Sequence, residues 1–266
     1  MTTHTSRTYI YLSPHLDDAV LSCGGTIYTQ AAAGGHVAVA TFFTASPADE
    51  TATPFSRELK LRWGNVTDSV AMRRAEDLAA VAGLGADAVH LDFLDCIYRQ
   101  NPATGAPYYV TRDDIFGDVH PAEAGWPPLG LAALRAAVDL VPEAVIYAPL
   151  TVGHHVDHIL VQQVARTLQS AGYDVRYYTD YPYARDTAGI AEALARCGHP
   201  SARPQSVAFG EAAMEAKIAA VGCYASQLST FWPDEPTMRA ALQQFARVGG
   251  GEGYAETYWR LPARGA

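Results

Sequence analysis

Short apolar runs that alternate with helical patterns from residue 9 to residue 179 place the strongest constraint on the fold. The run at residues 36–44, HVAVATFFT, is almost wholly apolar, which is typical of a strand covered on both faces. The other β-rich runs are at residues 9–13, 88–94, 144–148 and 175–179, and the helical patterns are at residues 18–34, 72–82, 131–140 and 159–171. This alternation predicts crossover units. We therefore predict an α/β fold with a mostly parallel sheet and helices on both faces.

The chain of 266 residues contains no internal repeat and no interdomain linker, so we predict one domain over residues 1–266. Its core is predicted at residues 8–185. The less regular residues 205–266 are predicted to form a C-terminal helical extension, with helices at 211–227 and 238–248. Residues 45–66 and 98–128 show no strong pattern, and loops of this length in a compact domain are usually functional or mobile.

Composition excludes several classes of protein. Hydrophobic residues make up 49% of the chain, which is enough for a sizeable core, and the formal net charge is -9. An excess of acidic groups argues against nucleic acid and anionic lipid as partners. The polar first residues contain no secretory signal pattern and the apolar runs are too short to span a bilayer, so we expect a cytoplasmic protein. The four cysteines form no CxxC pair and are expected to be free, mostly buried thiols.

A first cluster of chemically active residues follows the first predicted strand, in the sequence Ser13-Pro14-His15-Leu16-Asp17-Asp18. In a parallel sheet, ligands bind outside the carboxyl ends of the strands. His15 and Asp18 are three residues apart, so a helical turn brings both side chains to one side, whereas Asp17 points elsewhere. A helix N-cap would account for one of the aspartates, but not for both together with His15.

A second cluster, His154-His155-Val156-Asp157-His158, follows the fourth predicted strand and opens a helix. The positive end of the helix dipole disfavours imidazolium and therefore favours the neutral histidine that binds zinc. His155 and His158 share a face. Because the first and fourth strands of a doubly wound sheet can be neighbours, the two clusters can meet. Two histidines and one carboxylate leave a fourth position for water, which is the arrangement of catalytic zinc.

The two clusters resemble the motifs of the PIG-L/LmbE-like de-N-acetylase family, which carries a PHPDDE-like motif after its first strand and an HxDH-like motif after a later one. The sequences here are Pro14–Ala19 and His155–His158. Residues 73–76 resemble the RxxE helix of the family, and residues 91–95 resemble its next sheet element. The resemblance covers roughly residues 8–185, with further likeness at Lys217 and residues 224–227. It implies a Rossmann-like, LmbE-like fold and a zinc-dependent amide hydrolase.

The resemblance also implies roles for individual residues. The metal ligands would be His15, Asp18 and His158, and the general base would be Asp17. A protonated His155 would support the oxyanion and could protonate the leaving amine, and Asp157 would orient His155. Arg73 and Asp95 would face the substrate, although an arginine on an amphipathic helix is as often a solvated surface residue. These eight residues constitute the predicted site.

The sequence departs from the family pattern at several positions. Leu16 replaces the usual proline and Ala19 the usual glutamate. The aromatic residue that family members often carry close before the HxDH motif is absent from residues 151–154, which leaves the second oxyanion donor open. Tyr108, Tyr109, Tyr181 and Tyr183 are candidates for a wall that stacks on sugar, and equally for ordinary core or rim.

The predicted function is the removal of an N-acetyl or other N-acyl group from an amino-sugar-like substrate, with Zn²⁺ as cofactor and iron or cobalt as alternatives. The expected partner is a small N-acylated amino sugar or related amide, and a homo-oligomer is left open. A two-metal phosphoesterase would need more carboxylates, and a nucleobase deaminase would need H-x-E with P-C-x-x-C. A non-catalytic sugar- or nucleotide-binding module on the same fold, or an enzyme fold that has lost activity, remain the alternatives.

Overall fold

A computed structural model describes residues 6–47, 53–62, 68–247 and 253–262 of the chain. A single seven-stranded sheet forms its centre, in the order β3-β2-β1-β4-β5-β7-β6. The strands are β1 (Thr8–Ser13), β2 (His36–Thr41), β3 (Asp87–His90), β4 (Val145–Pro149), β5 (Asp174–Tyr178), β6 (Gln205–Phe209) and β7 (Tyr254–Trp259). The first five strands are parallel, whereas β7 runs antiparallel to both β5 and β6. The predicted α/β domain with a mostly parallel sheet is therefore confirmed.

Helices cover both faces of this sheet. They are α1 (Asp18–Ala32), α2 (Pro54–Arg62), α3 (Ser69–Gly83), α4 (Arg112–Ile115), α5 (Trp126–Ala137), α6 (Val156–Ser170), α7 (Thr187–Arg196), α8 (Glu211–Gly222), α9 (Ala225–Phe231) and α10 (Glu235–Ala246). Helices α1, α3, α8 and α10 build one apolar core, and α5, α6 and α7 build the other. Among the described residues, no helix combines the length and the apolar character that a membrane span requires.

The prediction of a helical extension at residues 205–266 is wrong in one respect, because this region also supplies β6 and β7. Strand β6 lies at the edge of the sheet and is mostly exposed, so it lacks the apolar run by which the inner strands were found. Strand β7 contains the buried Glu256, whose charge interrupts the apolar pattern. Residues 1–5, 67 and 263–266 lie outside the described residues, as do residues 48–52 and 63–66 of the first predicted loop, which otherwise contains α2. Residues 248–252, where the last predicted helix was expected to end, also lie outside them.

A buried ion pair fixes α1, the helix that begins at Asp18, against the C-terminal part of the chain. Lys217 Nζ lies 2.7 Å from Glu256 Oε1, and the Glu256 carboxylate also accepts hydrogen bonds from the backbone N–H groups of Gly25 and Thr26. A Cβ atom on Gly24 would lie 2.9 Å from Lys217 Cγ, so glycine is needed where α1 approaches α8. The region that was predicted to be an extension therefore supports the helix of the first motif.

Replacing Lys217 with Met is expected to lower the free energy of unfolding by about 3–5 kcal/mol, because it leaves the Glu256 carboxylate buried without its cation. Urea unfolding of wild type and variant measures the loss. The double variant Lys217→Met/Glu256→Gln should recover part of it, since the glutamine amide can still accept from the α1 backbone. A single variant as stable as wild type would show that the pair contributes nothing to holding α1.

Candidate metal centre

The turn after β1 brings His15 and Asp18 together. The Ser13 hydroxyl donates to the His15 carbonyl and accepts from the Ala19 N–H, which closes the turn. Asp17 takes a φ of 147°, a conformation that residues with a Cβ rarely adopt and that is found most often at functional sites. Helix α1 begins at the next residue. His15 donates its backbone N–H to Asp18 Oδ2 at 2.8 Å, and the His15 Nδ1 atom lies 3.1 Å from the same oxygen.

The turn after β4 brings His158 to the same place, because β1 and β4 are hydrogen-bonded neighbours. Three residues of this turn, Thr151, Gly153 and His154, have positive φ values, and the chain then enters α6 at Val156. His158 Nε2 lies 3.3 Å from Asp18 Oδ2. The predicted meeting of the two motifs is what the structure shows.

His15, Asp18 and His158 form a donor set that fits a divalent metal. One ligand atom from each lies within 4.8 Å of the other two. Ligands about 2.0–2.2 Å from a tetrahedral zinc are separated by roughly 3.4 Å, close to the spacing of these donors. His158 Nε2 is fully buried and has no hydrogen-bond partner among the described residues. A buried nitrogen aimed at a carboxylate oxygen and another imidazole is the arrangement that a cation would satisfy.

The electrostatics of these three residues also favour a divalent metal. Burial lowers the pKa of His158, but Asp18 and Asp180 outweigh that effect and raise it to about 9. Burial raises the pKa of Asp18, whereas the charge of His158 and the hydrogen bond from His15 bring it well below its usual value. In the metal-free protein, protons on the histidines thus balance the carboxylate charge, and a dication could replace them.

Two carboxylates outside the ligand set orient the histidine rings. Asp157 Oδ2 lies 2.9 Å from His15 Nε2, and Asp180 Oδ1 lies 2.7 Å from His158 Nδ1. Each contact directs the other ring nitrogen toward Asp18, as outer carboxylates do at metal sites. Asp157 contacts His155 through its backbone N–H, whereas its carboxylate contacts His15, the N–H of Cys96 and the Arg99 guanidinium. A role of Asp157 in orienting His155 stays a prediction.

Asp180 was not identified from the sequence. It is 1% exposed, and its second oxygen accepts from the Val152 N–H, so one carboxylate connects His158 to the turn after β4. It stands two residues beyond the end of β5, where the rule used for the other clusters would have pointed to it. No histidine lies close to Asp180 in the sequence, so no cluster of candidate metal ligands marks this position.

His155 lines the cleft, and its surroundings favour the neutral ring. It is the N-cap residue of α6, and its Nδ1 atom accepts from the Asp157 N–H at 3.2 Å. Since Nδ1 accepts, the proton of the neutral ring is on Nε2. Burial and the neighbouring His15 lower the pKa of His155 well below its usual value. The protonated His155 of the prediction is therefore not favoured, and the ring is a hydrogen-bond donor through Nε2–H.

Asp17 and Arg73 lie side by side in the cleft. The Arg73 side chain is 10% exposed, its NH2 group donates to the Leu16 carbonyl at 3.3 Å, and it lies 3.8 Å from Asp17 Oδ2. Arg73 is thus not a solvated surface residue. Burial and the adjacent Asp18 raise the pKa of Asp17 to about 7. Asp95 is the remaining predicted residue; it lines the same cleft, with Oδ2 3.7 Å from His15 Nε2.

Polar and apolar side chains line the cleft in similar numbers, and its described part encloses about 130 Å³. The hydrophobic side chains in this lining are Leu21, Leu59, Ile97, Ile115, Pro182, Tyr183 and Phe231. Of the four tyrosines considered as a sugar-stacking wall, Tyr183 lines the cleft, whereas Tyr109 and Tyr181 are buried. Gln227, in the C-terminal stretch that resembles the family, also reaches the cleft. The neighbouring Ser226 bonds to Glu76 of the RxxE-like sequence.

Tyr183 has a hydroxyl group that makes no hydrogen bond to the described residues. Its ring lies edge-on to His158, with centroids 5.8 Å apart, and edge-on to Phe116 at 5.7 Å. A Cβ atom on Gly153 would lie 2.8 Å from Tyr183 Cγ, so glycine leaves the space that the ring occupies. Burial and the charges of Asp18 and Asp17 raise the pKa of Tyr183, which places a protonated phenol beside the metal ligands.

The fold is a mostly parallel, Rossmann-like sheet, and the ends of two of its strands carry the donors of a candidate divalent-metal site. A family model described as GlcNAc-PI de-N-acetylase (PIG-L) matches residues 10–169. The chain belongs to the PIG-L family, as its two motifs predicted. The predicted enzyme class, an N-deacetylase, is confirmed with it.

Similar proteins include 2'-N-acetylparomamine deacetylase of Niallia circulans, which is 31% identical over 191 residues, 66% of this chain and 68% of that protein. Among solved structures, a deacetylase of the teicoplanin biosynthesis pathway superposes with a TM-score of 0.79 at 26% identity, covering 95% of this chain and 96% of that one. The zinc-inhibited form of teicoplanin deacetylase superposes with a TM-score of 0.77 at 26% identity, covering 95% and 97%.

Proposed function

We propose that this protein is a zinc-dependent N-deacetylase that hydrolyses the N-acetyl group of an amino sugar in a natural-product intermediate of the aminoglycoside or glycopeptide kind. The observation that carries the proposal is the convergence of His15, Asp18 and His158 beside the buried carboxyl group of Asp17. The substrate class rests on the relatives, which are named as deacetylases of paromamine and teicoplanin pathways.

His15 Nδ1, His158 Nε2 and an Asp18 oxygen would hold the metal. When bound, the metal would polarise the substrate carbonyl and lower the pKa of water. Asp17, whose pKa is about 7, is suited to accept a proton from the attacking water and to return one to the leaving amine. His155 Nε2–H and the Tyr183 hydroxyl are donors at the same cleft, and donors of this kind stabilise negative charge that develops on an acyl oxygen.

The dimensions of the cleft support a short acyl group. Pockets that enclose a whole drug-sized ligand have about 300–1,000 Å³, whereas the described residues enclose about 130 Å³ around the metal ligands. An N-acetyl group fits such a space, and the remainder of the sugar would lie at its mouth. Arg73, Asp95 and Gln227 are the polar residues of the lining that could contact hydroxyl groups there.

The proposal is tested by metal content and turnover in parallel. We expect purified wild type to contain about one zinc per chain, and the reconstituted protein to release acetate from 2'-N-acetylparomamine or an N-acetylated glycopeptide aglycone, detected by mass spectrometry. His158→Ala should lose both metal and turnover. Arg135→Ala, on the helix α5, serves as a control that should keep both.

Two outcomes would contradict the proposal. Failure of wild type to bind zinc, iron or cobalt would remove the metal centre. Stoichiometric metal without turnover of any N-acetylated amino sugar would leave a binding module on the same fold in its place.

A further inference from the structure

One carboxylate joins a metal ligand to a buried arginine on a distant segment. Asp157 Oδ2 lies 2.9 Å from His15 Nε2, and Asp157 Oδ1 lies 2.7 Å from the guanidinium nitrogen Nη1 of Arg99. Arg99 belongs to the predicted loop at 98–128, none of whose charged residues was among the predicted site residues. Asp157 thus has one oxygen on the metal side and one on the loop side.

Arg99 is held from its other side by Glu123. Its Nε atom lies 2.5 Å from Glu123 Oε1, and its NH2 group donates to Glu123 Oε2 at 3.2 Å. Glu123 also accepts from the Tyr109 hydroxyl at 2.5 Å, and that hydroxyl accepts from the His120 N–H at 2.7 Å. A continuous set of buried polar contacts therefore runs from His15 to the far part of the 98–128 segment.

Burial makes each charge in this set dependent on the next. Asp157 is fully buried, Glu123 is 6% exposed and the Arg99 side chain is 10% exposed. Two carboxylates at this depth require a compensating cation, and Arg99 is the group that contacts both. The planar guanidinium, with its fork of donors, can serve two carboxylates at once, which a lysine ammonium does less well.

Arg99 is placed to act through Asp157 and not on the substrate. Its guanidinium lies over the rings of Phe43, at 4.9 Å, and Tyr109, at 5.6 Å. Arg99 is not among the residues that line the described cleft, in contrast to Arg73. A loss of function on changing Arg99 would therefore not be a loss of substrate contact.

We propose that Arg99, clamped by Glu123, is a positioning residue for the metal ligand His15. It holds Asp157 as a fixed carboxylate that accepts the Nε2–H of His15, and this fixes the tautomer in which the Nδ1 lone pair faces Asp18 and His158. The geometry of the 98–128 segment is thereby coupled to metal affinity. The inference rests on the proposed metal centre, but it concerns binding of the metal and not turnover.

The test is a titration of the metal-depleted protein with Zn²⁺ against a competing chelator, and with Co²⁺ monitored by its visible absorption. Changes in partners of metal-bound histidine typically weaken metal binding by about 10- to 100-fold. We expect a loss of that size in Arg99→Met, with an altered Co²⁺ spectrum, and a smaller loss in Arg99→Lys. The matched control is Arg176→Met, because Arg176 is also buried against a carboxylate, Asp174, at the opposite ends of the strands.

Each outcome decides the inference. Weakened metal binding in Arg99→Met with wild-type affinity in Arg176→Met supports it. Wild-type affinity and spectrum in Arg99→Met overturn it, as does an equal loss in both variants, which would indicate a general effect on the fold. If Arg99→Met does not fold, the metal affinity of Arg99→Lys is the test. An affinity of Arg99→Lys equal to that of wild type would then overturn the inference. Absence of metal binding by wild type would instead overturn the metal centre itself.

Discussion

Asp17→Asn is expected to keep its metal and to lose about 100- to 10,000-fold in kcat, the range that a general base contributes. Asn preserves the shape of the side chain but cannot accept the proton. Asp17 is 6% exposed and shares the cleft with Arg73, so the amide would remain in the position of the carboxylate.

The neighbouring aspartate provides the contrast. Asp18 Oδ2 is the atom that approaches both His15 Nδ1 and His158 Nε2, at 3.1 and 3.3 Å, so Asp18→Asn should lose most of its metal. Metal content by mass spectrometry and kcat on the same preparations separate the two effects. Asp17→Asn with bound metal and wild-type turnover would assign the base to another group, and loss of metal from Asp17→Asn would make Asp17 part of the metal centre.

The convergence of the two motifs could be predicted because it depends on a rule about sheets. His15 and Asp18 follow β1 and His158 follows β4, and the carboxyl ends of neighbouring parallel strands open into one crevice. Strand pairing therefore brings together residues that are 140 positions apart. The rule says where the side chains meet, but not which ring nitrogen each histidine presents or which carboxylate fixes it.

The contacts of Asp157 and Asp180 with the histidine rings could therefore be identified only from the structure. The family resemblance implied that Asp157 orients His155, two residues before it, but the first turn of α6 directs the Asp157 carboxylate toward His15 and Arg99. Arg99 and Glu123 are separated by 24 residues without regular pattern. Their pairing follows from the course of a loop, and no periodicity in the sequence encodes it.

The strands of the sheet also differ in whether local sequence pattern could predict them. Strands β1, β2, β4 and β5 were predicted from apolar runs, because most of their positions are buried. The edge strand β3 is only partly buried, but it begins a run with the same apolar character. Strand β7 was not predicted because it contains Glu256, which is buried against Lys217. From sequence alone, a charged residue is expected to be exposed. The partner lies 39 residues away on α8. The local sequence pattern therefore predicts strands whose buried side chains are apolar. It does not predict a strand whose buried charged residue is stabilised by an ion pair with a residue distant in sequence.

Tyr183→Phe is expected to lower kcat by about 100- to 1,000-fold, the range for loss of one donor to a developing oxyanion, with little change in KM or metal content. The phenol hydroxyl has no hydrogen-bond partner among the described residues, and its ring is fixed by His158, Phe116 and the backbone at Gly153. Because Tyr183 lines the same cleft as His15 and Asp18, we expect its hydroxyl to donate to the acyl oxygen of the substrate. Phe keeps these ring contacts, so the variant removes the donor alone.

Tyr181→Phe is the matched control, because Tyr181 is two residues away and also has a hydroxyl without a partner in the described part of the chain. It packs against Trp232 and Phe245 and does not line the cleft. Steady-state kinetics of the two variants on one N-acetylated substrate should show a loss in kcat for Tyr183→Phe only. Equal activity in both would leave His155 as the donor from this chain. A rise in KM without a fall in kcat would instead make Tyr183 a residue that binds the sugar, because a donor to the transition state acts on kcat and not on ground-state binding.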